Sequence, residues 1–181
     1  MARSDRRLSR ESWIEAALVA LTERGVAGVA VEPLATRLGV TKGSFYWHFA
    51  NRDELLAAAL EAWEAERTEE LIARLDEVPD PRDRLAVWAQ HALGADKALL
   101  VGLHAAAGHP IVGPVLRRVT ERRIEYLAEL FRAAGASDAD AERRALLLYG
   151  ADVGLFEVSR ALGDQPDLDA LIGAVQSIFL P

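Results

Sequence analysis

The sequence predicts an all-α protein, with a small helix-turn-helix module in residues 1–52 fused through a long helix to a larger helical domain in residues 53–181. Three observations predict it. Half of the 181 residues are hydrophobic and Ala and Leu dominate, while no run alternates apolar and polar positions with the period of a strand. Charge is divided unevenly: residues 1–52 carry 8 Lys and Arg against 5 Asp and Glu, and residues 53–181 carry 13 against 23. A basic third on an acidic body, net −7, is the asymmetry of a chain in which one module touches a polyanion. Third, residues 45–49, Phe-Tyr-Trp-His-Phe, set four aromatic rings and a histidine in five consecutive positions. So short a helix cannot bury them all, and their polar tips suit phosphates and base edges.

The same composition bounds the function. No apolar run reaches the roughly 20 residues that a membrane-spanning helix needs, and residues 1–7 lack the apolar core of a signal peptide. Cysteine is absent, which removes disulfides, thiol nucleophiles and thiolate metal sites. A cytoplasmic protein without membrane partners is expected.

Taken in order, the first helix is predicted over residues 9–24, capped by Ser9, apolar at Trp13, Ala17 and Leu21 with Ile14 and Leu18 alongside, and stopped by Gly25. Arg3, Arg6 and Arg7 ahead of it make a short basic arm. The second helix covers residues 31–38, with Pro33 in its first turn and Leu34, Ala35 and Leu38 inside. Gly39-Val40 is the tight turn, and Thr41 is expected to cap a third helix in which Phe45 and Phe49, one turn apart, face the body. Asn51 caps the fourth helix with Glu54 as its reciprocal partner. That helix runs to about residue 76, with Leu55, Leu56, Ala59, Leu60, Trp63, Leu71, Ile72 and Leu75 on its inner faces. Further helices follow over residues 81–93, 97–107 and 111–134, then one capped by Ser137 and nearly apolar from Ala145 to Leu162. A ninth begins at Asp167, with Leu168, Leu171, Ile172, Val175, Ile178 and Phe179 in helical period.

The run from Ala35 to Leu56, with Gly39-Val40-Thr41 before the helix, Phe45-Tyr46-Trp47-His48-Phe49 within it and Arg52 with Leu55-Leu56 after it, resembles the DNA-binding signature of the TetR family of transcriptional regulators. The resemblance covers about residues 9–56. One departure is visible: Ala30 stands where the family has a Ser or Thr that caps the second helix and touches a phosphate. The resemblance implies a homodimer reading palindromic double-stranded operator DNA, most often as a repressor, released when a small-molecule effector fills the ligand-binding and dimerisation domain. Carried over to this chain, Lys42, Gly43 and Tyr46 meet base edges, while Thr41, Ser44, Tyr46, Trp47, His48 and Arg52 hold phosphates. The chemistry agrees: a lysine donates to guanine O6 and N7, a glycine lets backbones approach, and hydroxyls and ring N–H groups donate to phosphate oxygens.

In the body, Trp88, His91, His104, Tyr126, Asp152 and Phe156 are candidate pocket residues: apolar bodies, several with polar tips, of the kind that line small-molecule sites. Asp152 lies in an otherwise nearly charge-free stretch and needs a partner: backbone, a second subunit, or a cationic or hydroxylated ligand. Gly150 and Gly154, with the apolar positions Leu168, Leu171, Ile172 and Val175, predict a dimer bundle made by the last two helices of each subunit. His91, His104 and His109 show no i, i+4 pair, so neither metal nor cofactor is expected. Two rival readings remain at this point. One is a small helical enzyme using His104, His109 or Asp152 as acid and base; the other is an architectural DNA-binding protein without a ligand.

Overall fold

The computed structural model describes residues 9–92 and 97–163, with positions 167, 170, 173, 174 and 177. Its elements in order are α1 (Arg10–Arg24), a 3₁₀ turn (Val26–Gly28), α2 (Val31–Leu38), α3 (Lys42–Phe45), α4 (Arg52–Glu64), a π-helical segment (Ala65–Glu69), α5 (Glu70–Asp76), α6 (Pro81–Ala92), α7 (Lys97–Ala105), α8 (Val112–Ala133) and α9 (Asp138–Leu162). No strand occurs among the described residues. The all-α class and the helix order expected from the sequence are those observed; the predicted helix beyond Asp167 lies largely outside the described residues. Asp167 itself accepts the Ala170 amide at 3.1 Å, the bond of a helix cap.

Local chemistry explains most boundaries. Ser9 accepts the Ser12 amide, and Gly25, at φ 63°, closes α1 by donating to the Leu21 carbonyl. Asn51 accepts the Glu54 amide at 2.9 Å, satisfying one orphan donor at the head of α4, while the Glu54 carboxylate reaches back past the cap to the Ala50 amide at 2.7 Å and fixes the entry of the chain. Two predicted caps differ from expectation. Thr41 and Ser137 occupy N-cap positions with extended backbone, yet neither side chain bonds a helix amide; the first-turn bonds there come from their carbonyls. Ala30 begins α2 with no side-chain cap, as its methyl group dictates.

The predicted fourth helix is a continuous rod but not a uniform one. Its α geometry widens to π over Ala65–Glu69 before returning. The apolar pattern is the cause. Leu56, Ala59, Leu60 and Trp63 hold one face, and at about 3.6 residues per turn the same face would next receive Arg67, Glu70 and Arg74. The buried positions are instead Thr68, Leu71, Ile72 and Leu75, one residue later. One residue absorbed in a wide turn brings the two apolar stretches back into phase.

The buried residues form two clusters that meet at this turn. The first joins Trp13, Phe45 and Phe49 of the N-terminal head to Leu55, Leu60 and Trp63 of the rod, and continues to Leu99 and Leu103 of α7 and Val112, Leu116 and Val119 of α8. The second gathers Leu71, Leu75, Trp88, Tyr126, Leu127, Phe131, Ala145 and Leu148. The head thus shares its core with the near half of the body. It is built into the body, with no linker between them.

Candidate nucleic-acid interface

The turn between α2 and α3 is set by Gly39, at φ 70°, a left-handed conformation that a Cβ would strain. Its amide donates to the Thr36 carbonyl at 3.1 Å and the Val40 amide to the Ala35 carbonyl at 3.0 Å, the paired bonds of a Schellman motif. The turn aims α3 outward. α3 is a single α turn continued by tighter bonds, His48 to the Phe45 carbonyl at 2.9 Å and Trp47 to that of Ser44 at 3.3 Å. Its inner side is anchored by Phe45, packed edge-on against Trp13 at 5.3 Å and stacked on Phe49 at 5.6 Å, with the Arg10 guanidinium 4.8 Å over the Phe49 ring.

The outer side is left bare. Tyr46 is 57% and Trp47 87% exposed, Thr41, Lys42 and Gly43 are exposed, and Ser44 and His48 are half-buried. These seven of the predicted contact residues therefore share one short, accessible element. Nothing in the fold needs a glycine at position 43: a Cβ there would meet only the Thr41 hydroxyl, at an ordinary 3.7 Å. Lys42 is paired across the turn with Glu32 of α2 at 2.8 Å, a bond that holds the ammonium pKa above its usual value and the Glu32 carboxyl below its own. Arg52 is placed differently from its neighbours. Its Nε donates to the Val29 carbonyl and its Nη2 to that of Val26, each at 2.6 Å, and Nη1 meets Asp53 at 3.3 Å. It braces the connection between α1 and α2 from within.

The body candidates fall into separate groups. Trp88 and His91 line a small cavity of about 30 Å³ together with Trp63, Leu71 and Leu100 and the basic residues Arg67, Lys97 and Arg123. Asp152 lies behind it, in a buried ion pair with Lys97. One oxygen of the carboxylate thus has a lysine of the same chain as its partner, while Oδ2 is buried with no hydrogen-bond partner among the described residues. Burial pushes the Asp152 carboxyl up and the Lys97 ammonium down, each partly offset by the other. Tyr126 packs against Trp88 and donates to Asp76 at 2.9 Å; burial, with that bond, pushes its hydroxyl up to about 12. His104 bonds Tyr149 at 3.2 Å, away from this lining, and Phe156 is half-buried on α9. His109 accepts the Ile111 amide at 3.2 Å and holds the turn before α8. His104, His109 and Asp152 thus have three different sets of partners.

Sequence reasoning missed Lys97 and Arg123, because a lone lysine or arginine on an amphipathic helix reads as solvated surface. Arg123 is only 5% exposed. Its Nε donates to Thr68 Oγ1 at 3.1 Å and its Nη2 to the Arg67 carbonyl at 2.8 Å, so α8 grips the π segment of the rod. A second, larger cleft of about 230 Å³ separates α1 from the rod and α7, lined by Leu18, Val19, Thr22, Glu66 and Leu99 among others. On α9, Leu146, Leu147, Val158 and Leu162 are exposed, and open space surrounds Gly150 and Gly154. Leu168, Leu171, Ile172 and Val175 lie outside the described residues.

Comparison with known proteins places the head. Residues 14–59 match the family described as bacterial regulatory proteins, tetR family. The chain is 40% identical over 77 residues to the HTH-type transcriptional regulator TtgR of Pseudomonas putida, covering 42% of this chain and 36% of that protein. It is 42% identical over 71 residues to the class A tetracycline repressor protein of Escherichia coli, covering 39% of this chain and 33% of the repressor. The matched stretch thus spans about a third of the length of these curated relatives. Over 95% of its length the chain superimposes on the reduced form of Escherichia coli NemR, with a TM-score of 0.82 at 20% identity and 98% of that chain covered. Residues 14–59 thus belong to the tetR family of bacterial regulatory proteins, and the chain as a whole has the fold of a solved transcriptional regulator of the TetR/AcrR family.

Proposed function

We propose that this chain is a cytoplasmic, dimeric transcriptional regulator, most often acting as a repressor, whose two heads bind a palindromic operator and leave it when a small molecule occupies the body. The observation that carries the reading is the outer side of α3. Trp47 and Tyr46 stand in water while Phe45 and Phe49 fasten the same turn to the core. Large rings so exposed, beside a lysine and a glycine the fold does not require, suit a partner surface. In this reading Lys42 leaves Glu32 for a guanine edge, Gly43 admits close backbone approach, Tyr46 reads a base, and Thr41, Ser44, Trp47 and His48 hold phosphates. Arg52 contributes by fixing the turn between α1 and α2.

The exposed apolar stripe of α9 is the dimer surface in this reading, its glycines letting a second copy approach. Two heads must then sit about 34–36 Å apart to enter successive major grooves. An effector that moves the rod changes that spacing, and selective binding to one spacing is sufficient to shift the population.

The test is direct. Operator DNA is selected from a random pool and its binding is measured for the unmodified protein and for Lys42→Ala and Tyr46→Ala, with oligomeric state followed by sedimentation. Both variants are expected to lose specific binding while sedimenting as dimers. Unchanged gel shifts in both would sink the assignment of α3.

A further inference from the structure

Buried charges in proteins are paired with opposite charge, because removing an ion from water costs several kcal/mol that neutral neighbours rarely return. Arg123 breaks this rule. Its hydrogen bonds go to a threonine hydroxyl and a backbone carbonyl, its guanidinium lies 5.8 Å over the Trp63 ring, and among the described residues no carboxylate lies within 4.0 Å of it. The nearby acid, Asp152, is engaged by Lys97 through Oδ1, and its Oδ2 is buried without a partner among the described residues. Burial holds the Arg123 pKa below its ordinary value, with Tyr149 and Asp152 acting from further off to raise it.

A second group beside it is also unsatisfied. Trp88, 2% exposed, has its indole N–H buried with no acceptor among the described residues. Trp88 and Arg123 line the same cavity. Among the described residues that line it, Arg67, Lys97 and Arg123 carry positive charge, burial keeps the His91 imidazole pKa below its ordinary value, and the rest are two tryptophans and two leucines. Arg67 pairs with Glu66 at 3.3 Å and Lys97 with Asp152, so a cationic ligand would meet Arg123, which has no carboxylate partner among the described residues. The geometry points to an anionic effector: a small carboxylate with a flat apolar body, its oxygens on the free Nη1 of Arg123 and the Trp88 N–H, its body between Trp63 and Trp88. This rests on the reading of the body as an effector domain and names the class of effector.

The cavity volume supplies the mechanism. About 30 Å³ has room for a water molecule and little more, so any such carboxylate must push the lining apart. Trp63, Arg67 and Leu71 are part of that lining and flank or belong to the π segment. Arg123 holds the inner side of this segment from α8, beside the exposed Arg122–Glu69 pair at 3.7 Å. An anion that draws Arg123 to itself loosens that grip and acts on the rod that carries the head.

The experiment uses the full-length protein and two series of probes: benzoate with benzamide and benzylamine, and 2-naphthoate with its amide and its aminomethyl analogue. Thermal melts and calorimetric titration are expected to show stabilisation and binding by the carboxylates alone. Arg123→Gln should weaken carboxylate binding about tenfold or more, the loss of a charge-assisted hydrogen bond, while Arg123→Lys retains part of it. Equal or tighter binding of the amides or amines would overturn the anion assignment and leave an effector site in place. No binding by any probe, with operator binding by the free protein intact, would overturn the cavity as an effector site. Failure of the free protein to select any operator would instead overturn the regulator reading. The ligand series on the unmodified protein decides the matter even if Arg123→Gln does not fold.

Discussion

Gly43 carries the most information per atom in this chain. Glycine in a helix costs about 0.5–1 kcal/mol relative to alanine, and the space around position 43 would accept a methyl group without contact closer than 3.7 Å. Gly43→Ala is therefore expected to melt at or slightly above the temperature of the unmodified protein and yet to lose operator affinity; undiminished affinity would remove position 43 from the interface. The direction of these side chains was legible in the sequence, because Phe45 and Phe49 at helical spacing fix which side of α3 faces the core. Their private partners were not. The Lys42–Glu32 pair and the Arg52 bonds to the Val26 and Val29 carbonyls join residues 10 to 26 positions apart, and no local pattern specifies such contacts. In the proposed reading, Glu32 also gives Lys42 something to exchange on meeting DNA: the lysine approaches already paired, and a wrong surface would offer it little more than it has.

At the scale of elements, the same contrast separates caps that are read from spacing from caps that depend on rotamers. The Asn51–Glu54 box is written in two residues three apart; its Asn51 half forms as written, while the Glu54 carboxylate reaches one residue further, to the Ala50 amide. Thr41 and Ser137 stand at the right positions, but each hydroxyl can rotate elsewhere and does. Ala30 cannot cap at all, and α2 begins there on a backbone already extended, at φ −129° and ψ 133°, as an N-cap requires. Ala30→Ser is expected to stabilise the protein by about 0.5–2 kcal/mol, raising the melting temperature by roughly 2–4 °C per kcal/mol in a chain of this size. A lowered melting temperature would mean that the half-buried site cannot accommodate the hydroxyl.

At the scale of the molecule, the shared core of head and body has a mechanical meaning. Trp13 and Phe45 are linked to Leu99 and Val119 through one continuous set of buried side chains, so the head cannot swing without disturbing the near half of the body. Helix order and the two-part plan were legible because each helix carries its own apolar period. The widened turn was also written there, as the slip from Trp63 to Leu71, but a slip of one residue stays hidden when apolar positions are assigned to faces without following their phase. Its consequence is genetic. Loss of one codon inside a helix normally turns every later side chain by about 100° and ruins the core beyond it. Between Ala65 and Glu69 the opposite holds, since removing the exposed Glu66 leaves Thr68, Leu71, Ile72 and Leu75 in step with Trp63 along an unbroken α-helix. The Glu66 deletion is expected to give a cooperative melt near that of the parent, whereas deletion of Ala58 is not; equal damage from the two would refute the phase argument. The rod therefore tolerates a lesion at its most irregular point that its regular turns do not, and a straight-rod form of this protein is one codon away.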